Sequence, residues 1–106
     1  MERSDEDAVE LLGAIAEGSG WRREDGIAFW SHLFRRRIQR YQRHALPDFV
    51  SRLLGDLRVQ PHNAAAERAA TLLLSWDEPR QQAVSAAIKA RADLLIVIAY
   101  GRREKR

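Results

Sequence analysis

Three arginines, Arg36, Arg40 and Arg43, recur at i, i+4 and i+7 within FWSHLFRRRIQRYQRH (29–44), and Arg35 stands beside them. On a helix this spacing lines up one row, with steps of about 6 Å and 4.5 Å along the axis. Such steps resemble the separation of neighbouring phosphates along a single strand. Arginine suits phosphate because its planar fork donates two parallel hydrogen bonds and keeps its charge at any relevant pH. No carboxylate occurs between Asp25 and Asp48. Like charges one turn apart cost an isolated helix roughly 0.2–0.5 kcal/mol per pair, and a polyanion would remove that cost. So would acids from another segment, of which Asp5, Glu6, Asp7 and Glu10 near the N-terminus are the obvious group.

On the same wheel Ile27, Trp30, Leu33, Phe34, Ile38, Tyr41 and Ala45 form the core face, with His32 and Phe29 on the arginine flank. Arg37 falls inside the apolar arc. It is expected to be buried or half-buried with Asp48, Asp56 or Asp93 as partner, or else to mark a contact surface. Phe29 or Trp21 can add base stacking, although core or loop-anchoring roles compete for both.

Motifs for catalysis are sparse. His32, His44 and His62 have no metal-binding spacing, and no G-x-S-x-G, P-loop or G-x-G-x-x-G occurs. Arg37 and His44 form an R-x6-H spacing that resembles the pair of HEPN-family ribonucleases, in which the two residues act on a scissile phosphate in a dimer. Only two residues carry that resemblance. The expectation is a protein that is not an enzyme and needs no cofactor, metal or small-molecule substrate.

The elements that must position the arginines follow from periodicity. A first helix opens at Ser4, with Asp7 in capping-box position, and stops at Gly18 and Gly20. A second runs from about Glu24 to Ala45. A third follows Pro47, and Pro61 ends the segment after it. Asn63 is expected to cap an alanine-rich fourth helix. Ser75 with Glu78 is expected to cap a fifth that reaches Tyr100 before Gly101. Its LLIVIAY end (94–100) is β-branched, but no other segment alternates with period two to pair with it, so it is expected to be a deeply buried helix. The fold expected is all-α, a compact bundle of about five helices. Residues 1–100 would form a single domain and 101–106 a flexible basic tail.

Composition agrees. The 106 residues carry a net charge of +3, 45% hydrophobic and 31% charged side chains, and no cysteine. A disulfide framework and a thiolate metal site are thereby excluded. The acidic start does not read as a leader peptide, and no apolar run approaches a membrane span, so a cytoplasmic protein is expected. Arginine supplies 16 of the 18 basic residues, as a GC-rich genome would produce, but the clustering is a separate matter. Residues 1–10 hold five acids and one arginine, residues 21–43 hold seven arginines and two acids, and GRREKR at the end holds four bases and one acid.

A basic, cysteine-free, all-helical chain of this length, with an arginine row on one long helix, resembles the small subunits of multi-subunit CRISPR effector complexes. Architecture, size and charge carry the resemblance, with no sequence motif behind it. It implies copies of the chain stacked along larger protein subunits, their basic faces steadying a guide–target duplex or a displaced strand through phosphates. RNA or DNA would be bound sequence-independently, by Arg36, Arg40 and Arg43 first, with Arg35, Arg102, Arg103, Lys105 and Arg106 secondary. An alternative is a protein–protein adaptor that oligomerises head to tail, the acids Asp5, Glu6, Asp7 and Glu10 of one copy meeting the basic second helix of the next. A helix-turn-helix reader is a third possibility, weakened by a fourth helix without base-reading side chains.

Overall fold

The computed structural model describes residues 3–104 except Gln39 and residues 41–43; the side chains of residues 102–104 are not described. Five helices follow in order: α1 (Arg3–Gly18), α2 (Arg23–Arg37), α3 (Leu46–Asp56), α4 (His62–Leu74) and α5 (Glu78–Glu104). The chain is an all-α bundle, and no strand occurs among the described residues. The expected positions of Tyr41 and Arg43 lie outside the described residues.

Helix α1 is the hub, packing against α2, α4 and α5. Its stripe Ala8, Leu11, Leu12 and Ile15 is fully buried, as the i, i+3, i+4, i+7 spacing predicts. A left-handed cap ends the helix. Gly20 takes φ +79, its N–H reaches the Glu17 carbonyl, and the Trp21 N–H reaches back to Ala16. Those two bonds satisfy carbonyls the last turn would leave bare. The expected capping box at the other end does not form. The helix begins one residue before Ser4, and the Asp7 carboxylate is engaged by Arg80.

Just before that cap, α1 and α4 nearly touch. A Cβ on Gly18 would lie 2.6 Å from the Ala65 Cα and 2.9 Å from the Ala64 carbonyl oxygen. Both are backbone atoms, so Gly18→Ala must push the helices apart. Overpacking costs about 1–3 kcal/mol, and alanine's better helix propensity returns roughly 0.5–1 kcal/mol. The expected outcome is a net loss of about 1–2 kcal/mol in urea denaturation; an unchanged midpoint would contradict the contact.

Helix α2 ends at Arg37, eight residues before the expected end at Ala45. Ile38 makes the last α-type bond, to Phe34, and the Arg40 N–H closes a tighter turn on the Arg37 carbonyl. Neither glycine nor proline signals the stop. Continuing to Ala45 would have carried the chain about 12 Å further along the axis. Phe49 of α3 instead packs edge-on against Phe34, 5.1 Å between centroids. Of the expected core face, Ile27, Trp30 and Phe34 are buried and Leu33 and Ile38 half-buried, while Ala45 is exposed as the residue before α3.

Two expected caps are replaced. Helix α4 starts at His62, ahead of Asn63, with no side-chain cap. For α5, Asp77 takes the role given to Ser75, its carboxylate accepting the Arg80 N–H at 3.0 Å. Helix α5 runs antiparallel along α2, as the pairs Arg35–Asp93 and Asp25–Tyr100 require. It kinks at Arg91 (φ −133, ψ 34) and continues through Gly101, so Arg102 and Arg103 extend a helix where a flexible tail was expected. Lys105 and Arg106 lie outside the described residues. LLIVIAY is helical, but it is not deeply buried. Leu95 and Ala99 face the core, whereas Leu94 and Val97 are 43% and 66% exposed. No helix among the described residues is long and apolar enough to cross a membrane.

Candidate nucleic-acid interface

The early end of α2 breaks the arginine row. Arg35, Arg36 and Arg37 occupy its last turn, Arg40 sits exposed in the turn beyond, and Arg43 lies outside the described residues. Part of the clustering is explained by this placement, since cations near a helix C-terminus complement the negative end of its dipole, by about 0.3–1 kcal/mol each. Arg37 is half-buried and makes no ion pair among the described residues. Of its expected partners, Asp93 pairs instead with Arg35, at 3.7 Å and with both side chains exposed. Such a surface pair contributes little.

What the structure assembles is a basic groove. His32, Arg35 and Arg36 from α2 and Lys89 from α5 line an open depression of about 530 Å³. All four side chains are exposed, and Asp93 is the one carboxylate paired with any of them among the described residues. Lys89 joins through topology, because antiparallel packing sets it one helical turn before Asp93 and beside Arg35. The signal was faint, an isolated lysine in a stretch of alanines.

Two of the four acids expected to face outward, Asp5 and Asp7, face inward. The Asp7 side chain is 7% exposed and takes a two-pronged contact from Arg80, Nε to Oδ2 at 2.7 Å and Nη2 to Oδ1 at 2.9 Å. Arg80 also lies over the Trp76 ring, 5.0 Å from its centroid. These hydrogen bonds hold the Asp7 carboxyl below its ordinary range and outweigh the opposing effect of burial. The buried Asp5 carboxylate accepts Arg91 Nε at 2.7 Å, and Arg91 Nη2 also reaches the Ser4 hydroxyl at 3.4 Å. A carboxylate buried in an apolar bundle must be paired, and these two are paired within the chain. Asp5 and Asp7 are therefore corrected from docking residues to clasps between α1 and α5. Glu6 and Glu10 remain on the surface.

A larger concavity lies elsewhere, between α1 and α4, with a volume of about 730 Å³. Its charges are mixed, and Glu17 bridges Arg23 and Arg68 at 3.0 and 3.1 Å. It presents no field of one sign. A smaller cleft of about 270 Å³ opens between α2 and the α3–α4 loop, walled by Trp21, Phe29 and Trp30 against residues 57–60. Trp21 and Phe29 are 44% and 42% exposed and meet each other at 4.8 Å between ring centroids. Trp21, for which base stacking and loop anchoring both stood open, thus stands partly in solvent.

The R-x6-H pair is split by the new helix boundary. Arg37 closes α2, while His44 lies beyond the turn in a small depression with Ile38, Phe49 and Lys89. Among the described residues no three metal-ligating side chains converge. Compared with protein-family models, with curated proteins and with solved structures, the chain matches none.

Proposed function

We propose that the chain is a non-catalytic binder of nucleic-acid backbone. The observation that carries the reading is the groove of His32, Arg35, Arg36 and Lys89, in which four basic side chains from two helices meet, among the described residues, one exposed carboxylate, Asp93, paired with Arg35 at 3.7 Å. Fixed cations of one sign in an open groove raise the local concentration of a polyanion and release its counterions on contact. Phosphate contacts carry no base information, so binding is sequence-independent. The role fits a small helical subunit of a larger ribonucleoprotein complex, of which a CRISPR effector is the proposed kind. Arg40, next along the chain, extends the basic surface.

Fluorescence anisotropy with labelled RNA and DNA strands across a salt series tests this. With three to four phosphates neutralised, log affinity is expected to fall against log salt with a slope of about −2 to −3 on single strands. The variant R35E/R36E/K89E, checked by circular dichroism for unchanged helicity, is expected to lose binding at every salt concentration. A folded wild-type chain that binds no strand at low salt would remove the reading.

A further inference from the structure

The basic groove and an aromatic cleft both open on α2. Within α2, Phe29, His32 and Arg36 fall in an arc of about 60°, with Phe29 about 4.5 Å and 10.5 Å along the axis from the other two. Phe29 is also the near wall of the cleft that Trp21, Trp30 and residues 57–60 enclose. The rings are graded in exposure. Trp30 is buried at the base, 5.2 Å from Phe29 and nearly perpendicular to it, while Phe29 and Trp21 stand partly in solvent. Trp30 Nε1 is buried and has no acceptor among the described residues.

Arg58 completes the rim, and its backbone is unusual. Helix α3 ends in the same kind of left-handed cap as α1, with Arg58 N–H on the Gly55 carbonyl and Val59 N–H on Leu54. At the position Gly20 fills in the first cap, this one carries an arginine at φ +52. Glycine would sit there without steric cost. An arginine kept in that conformation places its side chain beside the aromatic walls.

We propose that this cleft is a nucleobase site, and hence that the polyanion laid in the basic groove is a single strand with one base turned into the cleft against Phe29 and Trp21. The inference rests on the backbone-binding reading above. A duplex cannot use the cleft, because its bases are stacked on one another. A free base presents a flat π-face to the rings and acceptors on its edge, and Arg58 and Gln60 supply donors at the rim. Sequence tolerance is retained, since every base has a face to stack.

The test compares two single strands of equal length and phosphate count, one base-bearing and one abasic, bound to the full chain at moderate salt. Stacking of one base predicts a preference of about 10- to 100-fold for the base-bearing strand, with quenching of tryptophan fluorescence only when bases are present. F29L keeps apolar bulk but loses the π-face. It is expected to leave the melting temperature within a few degrees, reduce the preference to about 3-fold or less, and leave abasic binding unchanged. R58G is expected to melt no lower than the wild type, since it relieves the left-handed strain, and to lower the same preference. Equal binding of both strands, abolished by R35E/R36E/K89E, would leave the groove standing and overturn the base site. Binding of neither strand would overturn both. A preference that persists in F29L and R58G would place the base elsewhere and likewise overturn the proposal.

Discussion

Phe34→Ala is expected to lower stability by about 3–5 kcal/mol, the range for deleting a fully buried aromatic ring. Phe34 is 0% exposed and stands between Trp30, 6.2 Å away at 84°, and Phe49, 5.1 Å away at 88°. Both are edge-to-face geometries, which add to the burial itself. The ring also links α2 to α3, through its contact with Phe49. Small domains hold only about 5–15 kcal/mol in total, so the variant should be close to unfolding near physiological temperature. Urea denaturation followed by far-ultraviolet circular dichroism reads the change. Phe34→Leu, which keeps most of the volume, is expected to cost less than half as much. A loss below about 1 kcal/mol for the alanine variant would mean that the turn between α2 and α3 does not depend on this contact.

That contact also shows where sequence reading reaches its limit. The number of helices, the apolar stripe of α1, its glycine stop and the proline start of α3 were legible, because each depends on spacing or on a residue with restricted backbone freedom. The end of α2 was not. Nothing between Arg37 and Ala45 forbids a helix, and the contact that α2 makes at its end, Phe34 with Phe49 of α3, is tertiary; a wheel drawn on one segment holds no information about another. The capping of α5 failed for a milder reason, since Ser75 and Asp77 are both good caps and only the geometry selects Asp77.

The same limit governs the charged residues. Asp7 and Asp5 find Arg80 and Arg91 at sequence separations of 73 and 86. From sequence alone, an acidic N-terminus and an arginine-rich helix looked like complements of each other. In the fold, α5 supplies the arginines for the two buried acids, and Arg35 and Arg36 are left at the surface with Lys89. Basic character on α2 was therefore legible and its neutraliser was not. This bears on the proposed function, because two of the acids that could have neutralised the groove, Asp5 and Asp7, are engaged by α5 instead.

The second large effect follows from those clasps. Asp7→Asn is expected to cost about 2 kcal/mol at pH 7. Removing one partner of a buried pair can cost about 3–5 kcal/mol, but Arg80 is 30% exposed and water can partly re-solvate its guanidinium. The pH dependence separates this from a simple packing defect. Arg80 holds the folded-state pKa of Asp7 below 3.8, its ordinary value. The pair's stabilisation is therefore fully present above pH 3.8 and is lost as pH falls from there through the lower folded-state value. Urea midpoints of wild type and Asp7→Asn should differ at pH 7 and converge at the acid end, as the wild-type carboxyl takes up its proton. A gap that stays constant down to low pH would assign the loss to shape and not to charge. Because Asp7 and Asp5 tie α1 to α5 ahead of its kink and at the kink itself, neutralising them loosens the helix that carries Lys89. A fall in strand binding by Asp7→Asn that follows its fall in stability would then report on the clasp, whereas R35E/R36E/K89E, all on exposed side chains, reports on the groove itself.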